Sequence, residues 1–224
     1  MTSSTLSARP TVRGGHHNKG RRFPIEPVRN EDFARLLAAC TPQGVGRRYE
    51  LGAARLRALM VVMYRSGLRV SEALDRVESD LDPDRGTILV RNGKGGKRRL
   101  AMMDEWGWRE LDRWLVLRKQ IKPGALFPVI TGPTAGLPWS ACDVRRQLRD
   151  TRDRAGLRTR CAPHQFRHGF AVGVKSEVND LITLQRALGH SSPGTTAIYL
   201  RGIGELEALE PIRKRATPTI PIPH

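Results

Sequence analysis

Three glycines fall within five residues, Asn92-Gly93-Lys94-Gly95-Gly96, between two short runs suited to extended backbone. The runs are Thr87-Ile88-Leu89-Val90-Arg91 and Lys97-Arg98-Arg99-Leu100-Ala101. Glycine and asparagine reach the backbone angles of a tight reversal, and β-branched residues suit the pleated flanks, so this stretch predicts a hairpin. The surrounding chain has helical spacing instead. Phe33, Leu36, Leu37 and Cys40 share a face behind Asn30, a helix cap by residue type. Leu56, Leu59, Met60, Met63 and Tyr64 line one side of a helix over 51–66, and Gly67 suits its left-handed end. Met60, Met63 and Tyr64 read as core filling rather than chemistry. A short helix is expected over 71–76, and Asp104 opens another that carries Trp106, Leu111, Trp114 and Leu115. Proline, glycine and threonine break the chain over 123–138. Helices are then expected over 140–155, 163–175 and 178–188, a short one from Pro193 bearing Tyr199, and a last one over 203–210. The fold class is mainly α with a small antiparallel β-sheet, α+β.

The 224 residues provide one packed domain with tails. Residues 1–23 hold Arg9, Arg13, Lys19, Arg21 and Arg22 with no acid, and are expected to be a disordered basic tail. It is either a solvated leader or an arm that neutralises phosphates. Residues 24–202 form the domain, and 203–224 a C-terminal helix and tail. Lysine and arginine outnumber the acids 39 to 22, a net charge of +17, which calls for a polyanionic partner. Nucleic acid stands ahead of an anionic membrane surface or an acidic protein. No apolar run has membrane-spanning length, and the first residues lack the apolar stretch expected of a signal peptide. Cys40, Cys142 and Cys161 are far apart and form no CxxC, so reduced thiols in a cytoplasmic protein are expected, without a zinc site.

One tyrosine, two arginines and two histidines suggest attack on a phosphodiester. Such a transfer needs a nucleophile that loses a proton, cations around the crowded phosphorane, and an acid for the leaving oxygen. Tyr199 fits the first need if a base or cations help it ionise. Arg69 follows the helix break at Gly67, and its guanidinium can fork onto two phosphate oxygens. Glu72, one helical turn on, orients it or simply pairs with it. His164 and Arg167 share a helix face three residues apart, with Pro163 in the first turn. His190 lies just past a helix end at Gly189, and His168 reads as structural. Lys94 tops the hairpin as a mobile proton donor, with Lys97 as its competitor. Taken singly, each has an ordinary alternative: a surface arginine, a capping histidine, a turn charge, a packed tyrosine. A Walker-type phosphate loop is absent.

Four segments stand in a telling order. They are Gly67-Leu68-Arg69-Val70-Ser71-Glu72, the Gly93-Lys94-Gly95-Gly96-Lys97 tip, His164-Gln165-Phe166-Arg167-His168, and Leu188-Gly189-His190-Ser191-Ser192 leading through Thr195-Thr196 to Tyr199. Together they resemble the tyrosine recombinases, the phage-integrase family, over residues 24–205. The resemblance implies that family's catalytic-domain fold and a site-specific DNA recombinase of integrase or invertase type. It implies that Arg69 and Arg167 clamp the scissile phosphate and that Lys94 protonates the 5′ leaving oxygen. His164 would assist proton removal from Tyr199, His190 would hydrogen-bond the phosphate, and Tyr199 would form a 3′-phosphotyrosyl link. Glu72 supports the set. No metal and no other cofactor is implied, since arginine and histidine do the charge work of a metal.

The implied partners are double-stranded DNA and three further copies of the chain, a homotetramer acting through a four-way junction. An accessory DNA-bending protein or a partner recombinase joins them; a membrane does not. The implied setting is the cytoplasm of a bacterium or its phage, at the nucleoid. Gly169 stands where the family usually has Thr or Ser, Arg201 where many members have His, and Ala101-Met102-Met103 replaces the usual Val-Pro-Leu. The family typically carries an N-terminal helical domain; here the resemblance is to its short members, such as the fimbrial switch invertases. Residues 203–209 are expected to dock on a neighbouring subunit or fold back in cis. The alternatives are a non-catalytic DNA-binding regulator on the same scaffold, type IB topoisomerase-like relaxation of DNA, or a hairpin-forming resolvase.

Overall fold

The computed structural model describes residues 26–91, 98–178, 212–213 and 215. Its axis is α2 (Arg47–Ser66), preceded by α1 (Asn30–Ala38) and followed by the short α3 (Val70–Leu74). From Leu56 onward α2 is buried almost all round, from Ala58 through Ser66 without a break. A helix apolar on every side must be covered on every side. Here α4 (Glu105–Arg118) and α6 (Pro163–Val178) provide most of that cover. Phe33 of α1 joins the helices: its ring stacks on Tyr64 with centroids 4.0 Å apart and meets Trp106 and Phe166 edge-on at 6.4 and 6.3 Å. Met60, Met63 and Tyr64 are core, as their spacing predicts.

A three-stranded antiparallel sheet closes one side in the order β1 (Leu81–Asp82), β2 (Thr87–Val90), β3 (Arg99–Met102). Val90 pairs with Arg99 at the hairpin end and Thr87 with Met102 at the other. The tip, residues 92–97, lies outside the described residues. β1 has no counterpart in the sequence reading, because two residues are too few to show alternation. A turn closed by Gly86 N–H donating to Pro83 C=O at 3.1 Å brings β1 onto β2.

Local end signals act at three places, two of them, Gly67 and Asp104, as expected. Gly67 ends α2 in the left-handed region at φ 66°, Asp104 accepts from Gly107 N–H at 2.9 Å, and Ser140 accepts from Asp143 N–H at 3.0 Å to open α5 (Ala141–Arg154). Three readings change. α2 begins at Arg47, a turn earlier than its apolar face, because its first turn is mostly exposed. Asn30 is the first helical residue rather than the cap; its side-chain carbonyl accepts from the Tyr64 hydroxyl at 2.6 Å. α6 runs on through Val178, past the expected stop at 175.

Gly169 shows why this chain departs from the commoner Thr or Ser. A Cβ there would lie 2.5 Å from the Val28 carbonyl oxygen and 2.6 Å from the Tyr64 ring. Segment 26–28 is held against α6, with Val28 N–H donating to Gln165 C=O and the Gln165 amide donating to Glu26 C=O, both at 3.1 Å. Gly169→Thr should therefore destabilise the fold by about 1–3 kcal/mol, the usual range for overpacking. Calorimetry would read this as a lowered midpoint, whereas an unchanged midpoint would mean that the 26–28 segment yields freely.

After the undescribed span 179–211, Ile212 and Arg215 pack on their own domain. Ile212 is buried with Met102, Phe170 and Val174, and Arg215 donates to Glu177 at 2.9 Å beside the Phe170 ring. The expected docking segment 203–209 and the basic tail 1–23 lie outside the described residues. Among the described residues, no helix is long and apolar enough to cross a membrane.

Candidate phosphate site

Glu72 is the centre on which the candidate cations converge. Its carboxylate is buried, at 5% exposure, in the first turn of α3. Oε2 accepts from the backbone N–H of Arg69 at 2.8 Å, and Oε1 accepts from Arg69 Nη1 at 2.8 Å. The first bond closes the helix start; the second points the guanidinium back over its own turn. Arg99 Nη2 reaches Oε2 from β3, also at 2.8 Å. Arg167, from α6, brings Nη1 to 3.8 Å of the same oxygen and donates instead to the Gly67 carbonyl at 2.5 Å. Three elements distant in sequence thus place three guanidiniums around one acid.

Electrostatics follow from the geometry. Burial pushes the Glu72 carboxyl upward, but Arg99, the Arg69 N–H and the Arg69 side chain outweigh it, leaving the group below its usual range. Burial, with repulsion from Arg69 and Arg99, draws Arg167 down to about 10, against the attraction of Glu72. It stays cationic at neutral pH. Among the described residues, three guanidiniums stand against this one carboxylate, two positive charges in excess. Arg69 is the most open of the three, with 29% of its side chain exposed, against 10% for Arg99 and 5% for Arg167. The cluster can therefore receive an anion from the Arg69 side while Arg167 is held rigidly behind it.

The His164-to-His168 motif separates into distinct duties. Pro163 opens α6, His164 is exposed on its first turn, and Phe166 and Arg167 point inward. The Gln165 side-chain carbonyl accepts from Ala162 N–H at 2.9 Å, closing the helix start, while its amide holds the 26–28 segment. His168 is exposed. The structure thus brings Arg69, Glu72 and Arg167 together, with His164 one turn before Arg167. Lys94, Lys97, His190 and Tyr199 lie outside the described residues.

Arg99 is the site residue that the sequence reading passed over, as one of several cations in a strand. Its only signal was a buried acid one turn after Arg69 with room for more than one cation. Charge counting also needs correction. Among the described residues six arginines, Arg55, Arg65, Arg76, Arg118, Arg167 and Arg215, are buried, so part of the basic excess serves the interior rather than a polyanion. Arg76 donates to the Glu72 and Leu89 carbonyls and to Asp75 and Asp80, tying α3 to the sheet. Arg65 pairs with Asp104, and Arg118 donates to the Ala125 and Ile121 carbonyls. A cavity of about 480 Å³ at the opposite end of α2 is lined by Tyr49, Arg55 and Trp139 and includes none of the Glu72 cluster.

The model of the phage integrase family matches residues 27–202. Tyrosine recombinase XerC of Mesorhizobium japonicum is 34% identical over 160 residues, 70% of this chain and 50% of that protein. Tyrosine recombinase XerD of Mycobacterium leprae is 34% identical over 185 residues, 80% of this chain and 57% of that one. The chain thus spans about half the length of the curated relatives it matches. Among solved structures, XerH site-specific recombinase bound to its palindromic difH substrate superimposes with a TM-score of 0.61 at 29% identity, over 75% of this chain and 47% of that one.

Proposed function

The chain belongs to the phage integrase family, the tyrosine recombinases, and from that premise we propose that it breaks and rejoins DNA at specific sites. The observation that carries the reading is the Glu72 cluster, in which Arg69 and Arg167, far apart in sequence, are drawn to one buried carboxylate. Two excess positive charges suit a phosphodiester that gains a second negative charge as the phosphorane forms. In this reading Arg69 and Arg167 hold the non-bridging oxygens of the scissile phosphate. Tyr199 attacks phosphorus through its phenolic oxygen, with His164 helping to remove the proton. The 5′ oxygen leaves with a proton from Lys94, with Lys97 as the other candidate, and His190 hydrogen-bonds the phosphate.

The product is a 3′-phosphotyrosyl ester, which keeps the energy of the broken bond. Attack by a 5′ hydroxyl of another strand reverses the chemistry without an external energy source. A catalytic unit over 24–202 would carry these groups, with the basic tail 1–23 available to neutralise phosphates. Double-stranded DNA is the partner in this reading, and a tetramer working through a four-way junction is the assembly. The palindromic difH substrate bound in the XerH complex supports the choice of partner.

The test uses the full chain and nicked duplexes drawn from the DNA flanking its own coding sequence. Denaturing gels should show a covalent protein–DNA adduct with the unsubstituted protein and none with Tyr199→Phe. Equal absence from both would sink the catalytic reading; adduct of equal intensity in both would move the nucleophile elsewhere.

A further inference from the structure

We propose that the cavity at the N-terminal end of α2 is a binding site for a small organic phosphate, held by Arg48, Arg55 and Arg154. The cavity measures about 480 Å³, a size suited to a small molecule, and lies between the start of α2, residues 129–131 and α5. The proposal does not depend on the recombinase reading, since no residue of the Glu72 cluster lines this cavity.

Arg55 carries the argument. It is 5% exposed, and a charge so deep is rarely found without an acid against it. Among the described residues its one hydrogen bond runs from Nη1 to the Pro128 carbonyl at 2.5 Å, and Nε is buried with no acceptor. The Trp139 indole covers one face, with Cζ 3.6 Å from the ring centroid. A guanidinium has five N–H donors, so most of the hydrogen-bonding capacity of Arg55 is unspent. Burial draws Arg55 down to about 9, with Asp143 pulling the other way, so it is charged at neutral pH and short of a counter-ion. An anion in the cavity would relieve that cost.

Two more guanidiniums line the same cavity without an ion pair among the described residues. Arg48 donates to the Tyr49 hydroxyl, and Arg154 donates to the Thr151 hydroxyl at 2.9 Å and the Ala39 carbonyl at 3.4 Å. The lining also holds Arg146 and Asp143, which pair with each other at 2.7 Å, and Asp150. Four arginines against two acids leave this lining with positive charge in excess. A phosphate monoester brings about two negative charges and three oxygens that several guanidiniums can share, where a carboxylate brings one charge and two oxygens. Leu56, Val129 and Ile130 supply an apolar wall for the organic part of such a molecule. The depth of Arg55 favours a small molecule over a duplex, whose phosphates ride on the outside of a rod too broad to enter.

Calorimetric titration of the full chain with ADP as the probe should show saturable binding, and ADP should raise the thermal midpoint. Adenosine, which lacks the phosphates, should give no heat, and citrate should bind roughly tenfold more weakly than ADP. Arg55→Met is the direct variant, but it also frees the Pro128 carbonyl and can cost the fold, so Arg48→Gln/Arg154→Gln decides. Both of these residues are exposed. The double variant should melt near the unsubstituted protein without ADP and bind ADP roughly 10–100-fold more weakly, the range for losing hydrogen bonds to a charged group. Arg69→Gln should leave ADP affinity unchanged. No binding at millimolar ADP, unchanged affinity in the double variant, or citrate as tight as ADP overturns the proposal. Loss of ADP binding in Arg69→Gln also overturns it, by placing the phosphate on the Glu72 cluster. So does complete displacement of ADP by a short duplex of unrelated sequence, which would assign these arginines to the DNA backbone. The recombinase reading stands or falls separately, on the Tyr199 adduct.

Discussion

Glu72→Ala is expected to lower folding stability by about 3–5 kcal/mol, the usual cost of removing one side of a buried ion pair. The value should lie toward the upper end because three cations share this acid. Arg69, Arg99 and Arg167 would then face each other without the Glu72 carboxylate between them, and the Arg69 N–H at the start of α3 would lose its acceptor. Denaturant unfolding at neutral pH reads the loss directly, and a midpoint within experimental error of the unsubstituted protein would refute it. The pH dependence has a definite sign. The folded carboxyl titrates below its ordinary value of about 4.5, so its contribution is complete above that value and is lost as pH falls through the lower folded value. Glu72→Gln should accordingly show a shallower loss of stability on acidification than the unsubstituted protein. An equally steep acid limb would place the responsible carboxyl elsewhere.

The second large effect is expected at Gly67, where alanine meets two separate obstacles. The backbone stands at φ 66°, a region that an L side chain occupies only under strain. Its Cβ would also lie 2.4 Å from a Phe170 ring carbon, inside van der Waals contact. Strain and overpacking together should cost about 2–5 kcal/mol. The consequence reaches the site, because the Gly67 carbonyl is the acceptor that holds Arg167. Gly67→Ala should thus lower adduct formation more than its stability loss alone predicts. Adding Phe170→Leu should recover stability by easing the clash but not the backbone strain. Full recovery would show that the left-handed conformation costs nothing here.

Much of the frame was legible in the sequence because its signals are local. Gly67 and Asp104 end and open helices through contacts within a turn, and the face of α2 follows from a spacing of three and four residues. The glycine-rich tip between two extended runs implied the β2–β3 pairing, although β3 begins at Arg99 rather than Lys97. Arg69, Glu72, His164 and Arg167 could be named from motif order. Where local preference competed with distant partners, the reading moved. Asn30 has the residue type of a cap, yet its side chain is taken by Tyr64, 34 residues away. Gln165 looks like filler between His164 and Phe166, yet it fastens the 26–28 segment to α6.

The sequence by itself determined the helical periods, the hairpin, the family motifs and the excess of positive charge, since each is set by residues close together or by simple counting. Only the tertiary structure decided how that charge is divided. Among the described residues it buried six arginines among carbonyls and acids and drew Arg99 from β3 onto the oxygen of Glu72 that Arg167 approaches. A guanidinium chooses its partner through contacts made when distant segments close on one another, and no local spacing records which acid it will meet.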